Sequence, residues 1–468
     1  MRSAAVLALA LAGGAAAQPL AVGPAARYDG HALVRVQLRA APDLRLLEAI
    51  GADMWSHRVE AGGAGDFMIA PDRMDELDAS GLDYEVLILD VQRVIDAESA
   101  RIRDGAGRGA GWYDEFKPLA DIGDRLDALA AARPDIAAVF EAGVSLEGRP
   151  VRALRIANGS AGDPACKPTI LIDSCQHARE WITPMVCMYA AEQLLGAYGA
   201  DPGVTALIDG AEIIFIPVVN PDGYEHTWTR DRFWRKNRRD NGDGTFGVDL
   251  NRNWAYAWGS NTGSSGNTGS QTYRGPEPFS EPESRVVRDL ALSRPRLAAH
   301  VDLHSYGQML LAPWGYTSDL PPGHETFQML GEEMQQIIAA VHGKHYVHGP
   351  IYTTIYPVSG GITDWFWGDR GAHPFGVELR GPGFNPPPEQ ILPNAQEMYP
   401  ALVAFASWAR LAHAPPGDFN HDASVDSLDV LAFVGAWSAG DGAADFNGDG
   451  LLDIRDLSAF LNAWNAGC

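Results

Sequence analysis

His177 and Glu180 stand three residues apart in the run Cys175-Gln176-His177-Ala178-Arg179-Glu180-Trp181, just after the apolar stretch Thr169-Ile170-Leu171-Ile172. An imidazole and a carboxylate are both competent zinc ligands. A third candidate, His304, follows another apolar run that ends Val301-Asp302-Leu303. Two imidazoles and one carboxylate leave a coordination position open to water. That donor set points to metal-assisted hydrolysis rather than to a structural metal.

A His-x-x-Glu pair is weak evidence alone, because the spacing arises often by chance. Four further clusters add complementary chemistry. Trp234-Arg235-Lys236-Asn237-Arg238 is strongly cationic within an acidic chain, and Asp249-Leu250-Asn251-Arg252-Asn253-Trp254 sets an arginine beside two amides. Leu303-His304-Ser305-Tyr306 ends a strand-like run, and Val377-Glu378-Leu379-Arg380 puts a carboxylate in another. Burial there would raise the pKa of Glu378. Taken singly, each residue has a structural reading: a strand-end histidine, surface ion pairs for Arg235 and Arg252, a buried partner of Arg380 for Glu378, a loop aromatic for Tyr356. Their joint occurrence argues against that.

The elements that must position these residues fall into three blocks. Residues 27–100 read as strand 32–38, helix 43–50, short strands 54–59 and 67–69, helix 71–80 and strand 84–89, an antiparallel βαββαβ unit of ferredoxin-like α+β type. A basic, glycine-rich stretch with Arg101, Arg103 and Arg108 follows and reads as flexible, exposed and open to proteolysis. From residue 112 to about 411, apolar strands (169–172, 213–219, 297–303, 375–379) alternate with helical stretches such as 184–198. This predicts an α/β domain with a mixed, mostly parallel sheet flanked by helices. Ligand-competent side chains, His177, Asn220, His304 and Glu378, sit near strand ends, where open α/β sheets build their sites.

The last block is an internal repeat. Asp418-Phe419-Asn420-His421-Asp422 recurs as Asp445-Phe446-Asn447-Gly448-Asp449, each leading into a helix-like run. Oxygen ligands fall at positions 1, 3, 5, 9 and 12 of two loops: Asp418, Asn420, Asp422, Asp426, Asp429 and Asp445, Asn447, Asp449, Asp453, Asp456. That is the spacing of an EF-hand-type calcium loop, for one or two ions. Gly450 supplies the sharp turn of the second loop, whereas Ala423 stands there in the first, which predicts strain. The tract Asp240-Asn241-Gly242-Asp243-Gly244 has similar oxygens but reads as an ordinary glycine-rich loop.

Composition bounds the partners. Sixty acidic against 36 basic residues give a net charge of −24, which argues against nucleic acid and anionic membrane surfaces. Nine aspartates and one arginine lie in residues 417–468 alone. Residues 1–17, with Arg2, an apolar stretch and Ala15-Ala16-Ala17, read as a secretory signal, so the mature protein is expected outside the cell. No later run is apolar enough to insert in a membrane. Four cysteines are too few for a disulfide scaffold. Cys166 with Cys175 looks strained across a strand, Cys175 with Cys187 is open, and Cys468 reads as a free or intermolecular thiol.

Together the five motifs, in order over about residues 112–411, resemble the zinc metallocarboxypeptidases of the carboxypeptidase A/B family. With residues 1–17 read as a signal peptide and the Pro-containing 412–416 as a linker, the resemblance makes 18–111 an inhibitory pro-domain with its activation segment and 112–411 the catalytic domain. Residues 417–468 resemble a dockerin, a small all-α module of paired calcium loops, which implies a cohesin-like docking partner. The family's roles carry over residue by residue. His177, Glu180 and His304 would hold one zinc ion, Glu378 would be the general base, and Arg235 would face the oxyanion. Arg252, with Asn251 and Tyr356, would clamp the C-terminal carboxylate of a peptide or protein substrate, and Arg179 and Tyr306 would contact it further along the cleft. Thr363 falls at the position that separates family branches, where Asp would select Lys or Arg. With Leu311, Ile355 and Val358 nearby, it implies release of neutral or apolar residues, and Asp364 reads as structural. An activating protease would cut near residues 101–108. Two rivals remain at this point: a zinc peptidase acting on cell-wall peptides, and an inactive calcium-dependent docking or adhesion protein.

Overall fold

The computed structural model describes residues 25–56, 62–104, 111–163 and 165–468. The signal-peptide reading of residues 1–17 and the stretch 105–110, with Arg108, lie outside them.

The N-terminal unit is a four-stranded sheet of β1 (Ala32–Gln37), β2 (Asp53–Met54), β3 (Ala64–Ile69) and β4 (Tyr84–Ile88), in the order β2-β3-β1-β4. Every pairing is antiparallel. Val34 and Val36 of β1 share one face by the two-residue period of a strand and pack on Leu47, Phe67 and Leu77. The opposite face carries Leu33 and Met68, which join Trp55, Val91, Phe233, Tyr306 and Phe384 in a cluster shared with the next domain.

The chain does not become irregular at Arg101. A helix runs Val91–Asp104, and the Arg101 guanidinium donates to Glu115 Oε2 at 2.7 Å. The apolar period Val91, Ile95, Ile102 gives the helix a face to bury, so basic charge at its end marks a helix C-terminus and not a loose segment.

The central domain holds an eight-stranded sheet: β5 (Ala137–Val144), β6 (Pro150–Ile156), β7 (Thr169–Ser174), β8 (Glu212–Ile216), β9 (Leu297–Ser305), β10 (Met309–Ala312), β11 (Val347–Pro350) and β12 (His373–Leu379). The order is β11-β10-β12-β9-β7-β8-β6-β5. The centre, β12-β9-β7-β8, is parallel throughout, and antiparallel pairings on both sides make the sheet mixed. Alternate residues of the central strands feed two cores. Ile170, Ile172, Val301, Leu303, Phe375 and Val377 face helices Ile182–Ala197 and Ile391–Ala412. Leu171, Ile214 and Ile216 face Trp254, Val287, Trp365 and Phe366. Because the central strands run parallel, their C-terminal ends lie side by side, and the site is built there. No described helix is long and apolar enough to cross a membrane.

The C-terminal block has two helices, Ser427–Ala439 and Ile454–Ala466, with Phe433 stacked on Phe460 at 4.3 Å between centroids. It is tied to the central domain. Cys166 and Cys468 form a disulfide with Cα atoms 5.1 Å apart, so Cys468 is not a free thiol. Cys175 and Cys187 are the unpaired cysteines, both buried. The partners are 302 residues apart, a pairing that local spacing gives no reason to consider. Beside the disulfide, the Asp163 N–H donates to the Ala423 carbonyl at 2.8 Å, and Arg410 donates to the His421 carbonyl at 3.0 Å.

Candidate active site

His177 and Glu180 lie in the turn between β7 and helix Ile182–Ala197, while His304 is the next-to-last residue of β9. Donor atoms of the three all fall within 4.8 Å of one another. His177 Nδ1 is 2.9 Å from Glu180 Oε1, and His304 Nδ1 is 3.1 Å from His177 Nδ1 and 3.2 Å from Glu180 Oε2. All three are buried. Two imidazole nitrogens and a carboxylate aimed at one point fit a zinc ion. Burial opposes charge on Glu180, yet His177 and His304 hold its carboxyl well below the usual range. A zinc ligand must be deprotonated, and the lowered carboxyl is in keeping with that.

Each ligand histidine also has a carboxylate at its far nitrogen. His177 Nε2 is 3.2 Å from Asp249 Oδ1, and His304 Nε2 is 2.5 Å from Asp302 Oδ2. Asp249 is itself held by Arg235, whose Nη2 donates at 2.9 Å. Arg235 is buried, so it is not a surface ion-pair residue.

Glu378 stands opposite His304 in the parallel pairing of β12 with β9. Burial pushes its carboxyl up to about 8, with Glu180 adding to the effect and His304 and Arg235 opposing it. It does not pair with Arg380, which turns instead to Glu397 at 2.9 Å. Asn220 stays outside the ligand set. Its amide caps helix Pro221–Thr229 through Gly223 N–H and donates to the Gln176 and Lys236 carbonyls.

Asn251 and Arg252 form a short turn capped by Asp249. The Arg252 guanidinium donates to the Gly263 and Asn251 carbonyls and lies 6.0 Å from the Tyr356 ring. Leu311, Ile355 and Val358 make one apolar cluster with Tyr356 at its margin. Thr363, on helix Ile362–Gly368, faces Gly376 of β12, where a Cβ would meet Thr363 Oγ1 at 3.5 Å. Asp364 is taken up by the Gly315 and Tyr316 N–H groups, and burial pushes its carboxyl up to about 7. In the 240–244 tract, Asp243 is bonded to Thr245 and Thr268, as in an ordinary loop.

The N-terminal unit reaches this region. Arg179 donates to Asp53 at 3.2 Å, and the Tyr306 hydroxyl donates to Asp66 at 3.2 Å. Trp55 packs on Phe233 and Phe384, and Arg232 donates to Glu98 at 2.7 Å. None of Asp53, Asp66, Glu98, Asp249 or Asp302 was given a role from the sequence. The last had a readable signal, since residues two apart on a strand share a face.

Residues 122–401 match the family model described as "Zinc carboxypeptidase", and residues 34–98 match "Carboxypeptidase activation peptide". The chain belongs to the zinc carboxypeptidase family. It is 36% identical to rat (Rattus norvegicus) carboxypeptidase A2 over 71% of this chain and 80% of that protein. It is 33% identical to pig (Sus scrofa) carboxypeptidase A1 over 80% of this chain and 93% of that protein. Among solved structures, the carboxypeptidase A of Helicoverpa armigera superposes with a TM-score of 0.74 at 30% identity, covering 82% of this chain and 98% of its own. Thrombin activatable fibrinolysis inhibitor superposes at 0.75 with 26% identity, over 82% of this chain and all of its own. The long coverage takes in the N-terminal unit as well as the central domain. This zinc carboxypeptidase therefore carries an activation peptide on its catalytic fold.

Proposed function

We propose that this zinc carboxypeptidase is an exported zymogen that releases neutral or apolar C-terminal residues, with His177, Glu180 and His304 holding the metal. The observation that carries the reading is the convergence of those ligands with Glu378 at the ends of three parallel strands. A zinc ion there supplies Lewis acidity, easing deprotonation of water and polarising a carbonyl. Glu378 takes the proton from water and later passes it to the leaving amine. Arg235 supplies positive charge where the oxyanion develops. Arg252, with Asn251 and Tyr356, forks onto the terminal carboxylate, which makes the enzyme an exopeptidase and favours ordinary peptide C-termini over cell-wall peptides, while Glu378 and the three metal ligands argue against the inactive-docking reading.

Residues 18–111 act as the inhibitory segment. Asp53 and Asp66 occupy Arg179 and Tyr306, two residues assigned to substrate, so an intact chain has these contacts already filled. Cleavage near residues 101–108 by an activating protease releases them. Hydrolysis of peptides ending in Phe or Leu should rise on limited proteolysis and disappear with a zinc chelator. No gain from cleavage would overturn the zymogen reading, and chelator-resistant turnover would overturn the metal site.

Thr363 and the apolar cluster of Leu311, Ile355 and Val358 support the specificity. Thr363→Asp should shift preference toward C-terminal Lys and Arg by about 10–10²-fold, because an unpaired buried carboxylate disfavours an apolar side chain. An unchanged ranking would remove Thr363 from the pocket.

The C-terminal module is read as calcium-binding and dockerin-like, with a cohesin-like partner. Its two loops repeat one bonding pattern, Asp429 accepting from Asn420 N–H and Asp456 from Asn447 N–H, both at 3.1 Å. Ala423 takes φ +66°, a strained value without glycine, beside +79° for Gly450. Exposed Leu428, Leu431 and Val434 offer a docking face. The Cys166–Cys468 disulfide fits export to an oxidising compartment. In Cys468→Ser, calcium removal should open the module to proteolysis near residues 412–416. Equal resistance with and without calcium would count against the ion sites.

A further inference from the structure

The two ligand histidines are braced by carboxylates from unrelated parts of the chain. Asp249, behind His177, lies in a loop and is held by Arg235. Asp302, behind His304, lies two residues upstream on the same strand, so both side chains share one face of β9. We propose that Asp302 is the positioning residue of His304, accepting the Nε2 proton and thereby presenting the Nδ1 lone pair to the metal. The inference rests on the zinc-site reading above.

Asp302 has little freedom to leave this post. It is fully buried, and Gln176 Nε2 donates to the same Oδ2 at 2.5 Å. The Gln176 side-chain oxygen Oε1 in turn accepts from Trp254 Nε1 at 3.4 Å, which orients the amide. Asp173 lies directly opposite Asp302 in the β7–β9 register and is engaged by His300 at 3.0 Å, whose ring stacks on Phe366. These groups form a buried polar cluster around Asp302.

One neighbour competes for the same nitrogen. Asn251 Nδ2 lies 3.1 Å from His304 Nε2. The Asn251 side-chain oxygen Oδ1 accepts from the Ile362 N–H at 3.0 Å, so the amide presents its NH2 to the imidazole. An NH2 group donates and does not accept. The Nε2 proton therefore goes to Asp302. With that proton fixed, Nδ1, 3.2 Å from Glu180 and 3.1 Å from His177 Nδ1, carries the lone pair toward the ligand point. A carboxylate behind a ligand imidazole fixes its tautomer and raises its basicity.

The test is zinc affinity, measured on the full-length protein by competition with a chromophoric chelator. Asp302→Asn should bind zinc about 10–100-fold more weakly than wild type. Proton NMR of the zinc-loaded protein should show the His304 Nε2–H resonance moving upfield in the variant, with that of His177 in place. General loosening of the core would not move one ring proton alone. Zinc affinity within about twofold of wild type, or an unmoved His304 resonance, overturns the inference. If Asp302→Asn does not fold, Gln176→Leu, which keeps the carboxylate and removes its orienting amide, is judged by the same affinity and resonance criteria. Failure of wild type to take up zinc would bring down this inference together with the metal-site reading; a wild type that binds zinc beside an equally tight variant brings down this inference alone.

Discussion

Glu378→Gln is expected to lower kcat by about 10²–10⁴-fold while zinc affinity changes little. The glutamine keeps the shape and loses the basic oxygen. Glu378 sits in a buried strand beside the ligand set, in register with His304, and burial pushes its carboxyl up to about 8. The approach of a divalent cation opposes that shift, so the loaded enzyme should work with the carboxylate ionised at neutral pH. The rate should therefore fall as pH drops and Glu378 takes a proton, and the glutamine variant should lose that acid limb. Measuring kcat, KM and zinc affinity separates the base from the metal site. A variant with near-native kcat, or with no bound zinc, would remove Glu378 from the role of base.

Arg252→Met should cost about 10²–10³-fold in kcat/KM on peptides with a free C-terminus. The guanidinium is buried, two of its nitrogens are fixed by the Gly263 and Asn251 carbonyls, and the Tyr356 ring stands 6.0 Å away. That anchoring pre-orients the fork and reduces the ordering cost of binding. Arg252→Lys should recover little, because an ammonium is a point charge without two parallel donors. Removing Arg252 also leaves two carbonyls short of a donor, so thermal stability and zinc affinity must be followed alongside. The decisive contrast is a C-terminally amidated peptide. Its slow hydrolysis should be much less affected, and an equal loss on both substrates would assign Arg252 to scaffolding.

The block order, the metal donor set and the mixed sheet were legible because each has a local signature. Apolar runs of strand length located β7, β8, β9 and β12, and His177 and His304 were read from their place just after, or at the end of, such runs. Less was legible where the partner is remote. Helix Val91–Asp104 was hidden because its basic end resembled a cleavage linker, although Glu115 secures it. Cys166 found its partner 302 residues away, and the module's attachment to the central domain had no local sign at all. Asn220 looked like a strand-end ligand and proved to be a helix cap, since a side chain's partners depend on which backbone donors lie within reach.

What the order of residues determined by itself was chemistry: two imidazoles, a carboxylate, a buried glutamate and two arginines of the right kind, each placed beside a strand or turn by short-range pattern. The tertiary structure decided which of them meet. Parallel pairing of β12, β9 and β7 brings Glu378, His304 and the His177–Glu180 turn to one end of the sheet. The same folding sets Asp249 and Asp302 behind the histidines and Asp53 and Asp66 against Arg179 and Tyr306. The physical reason is range. Strand period and turn propensity act over a few residues, whereas ligand orientation and the docking of the N-terminal unit depend on contacts up to 240 residues apart, which exist only once the sheet has closed.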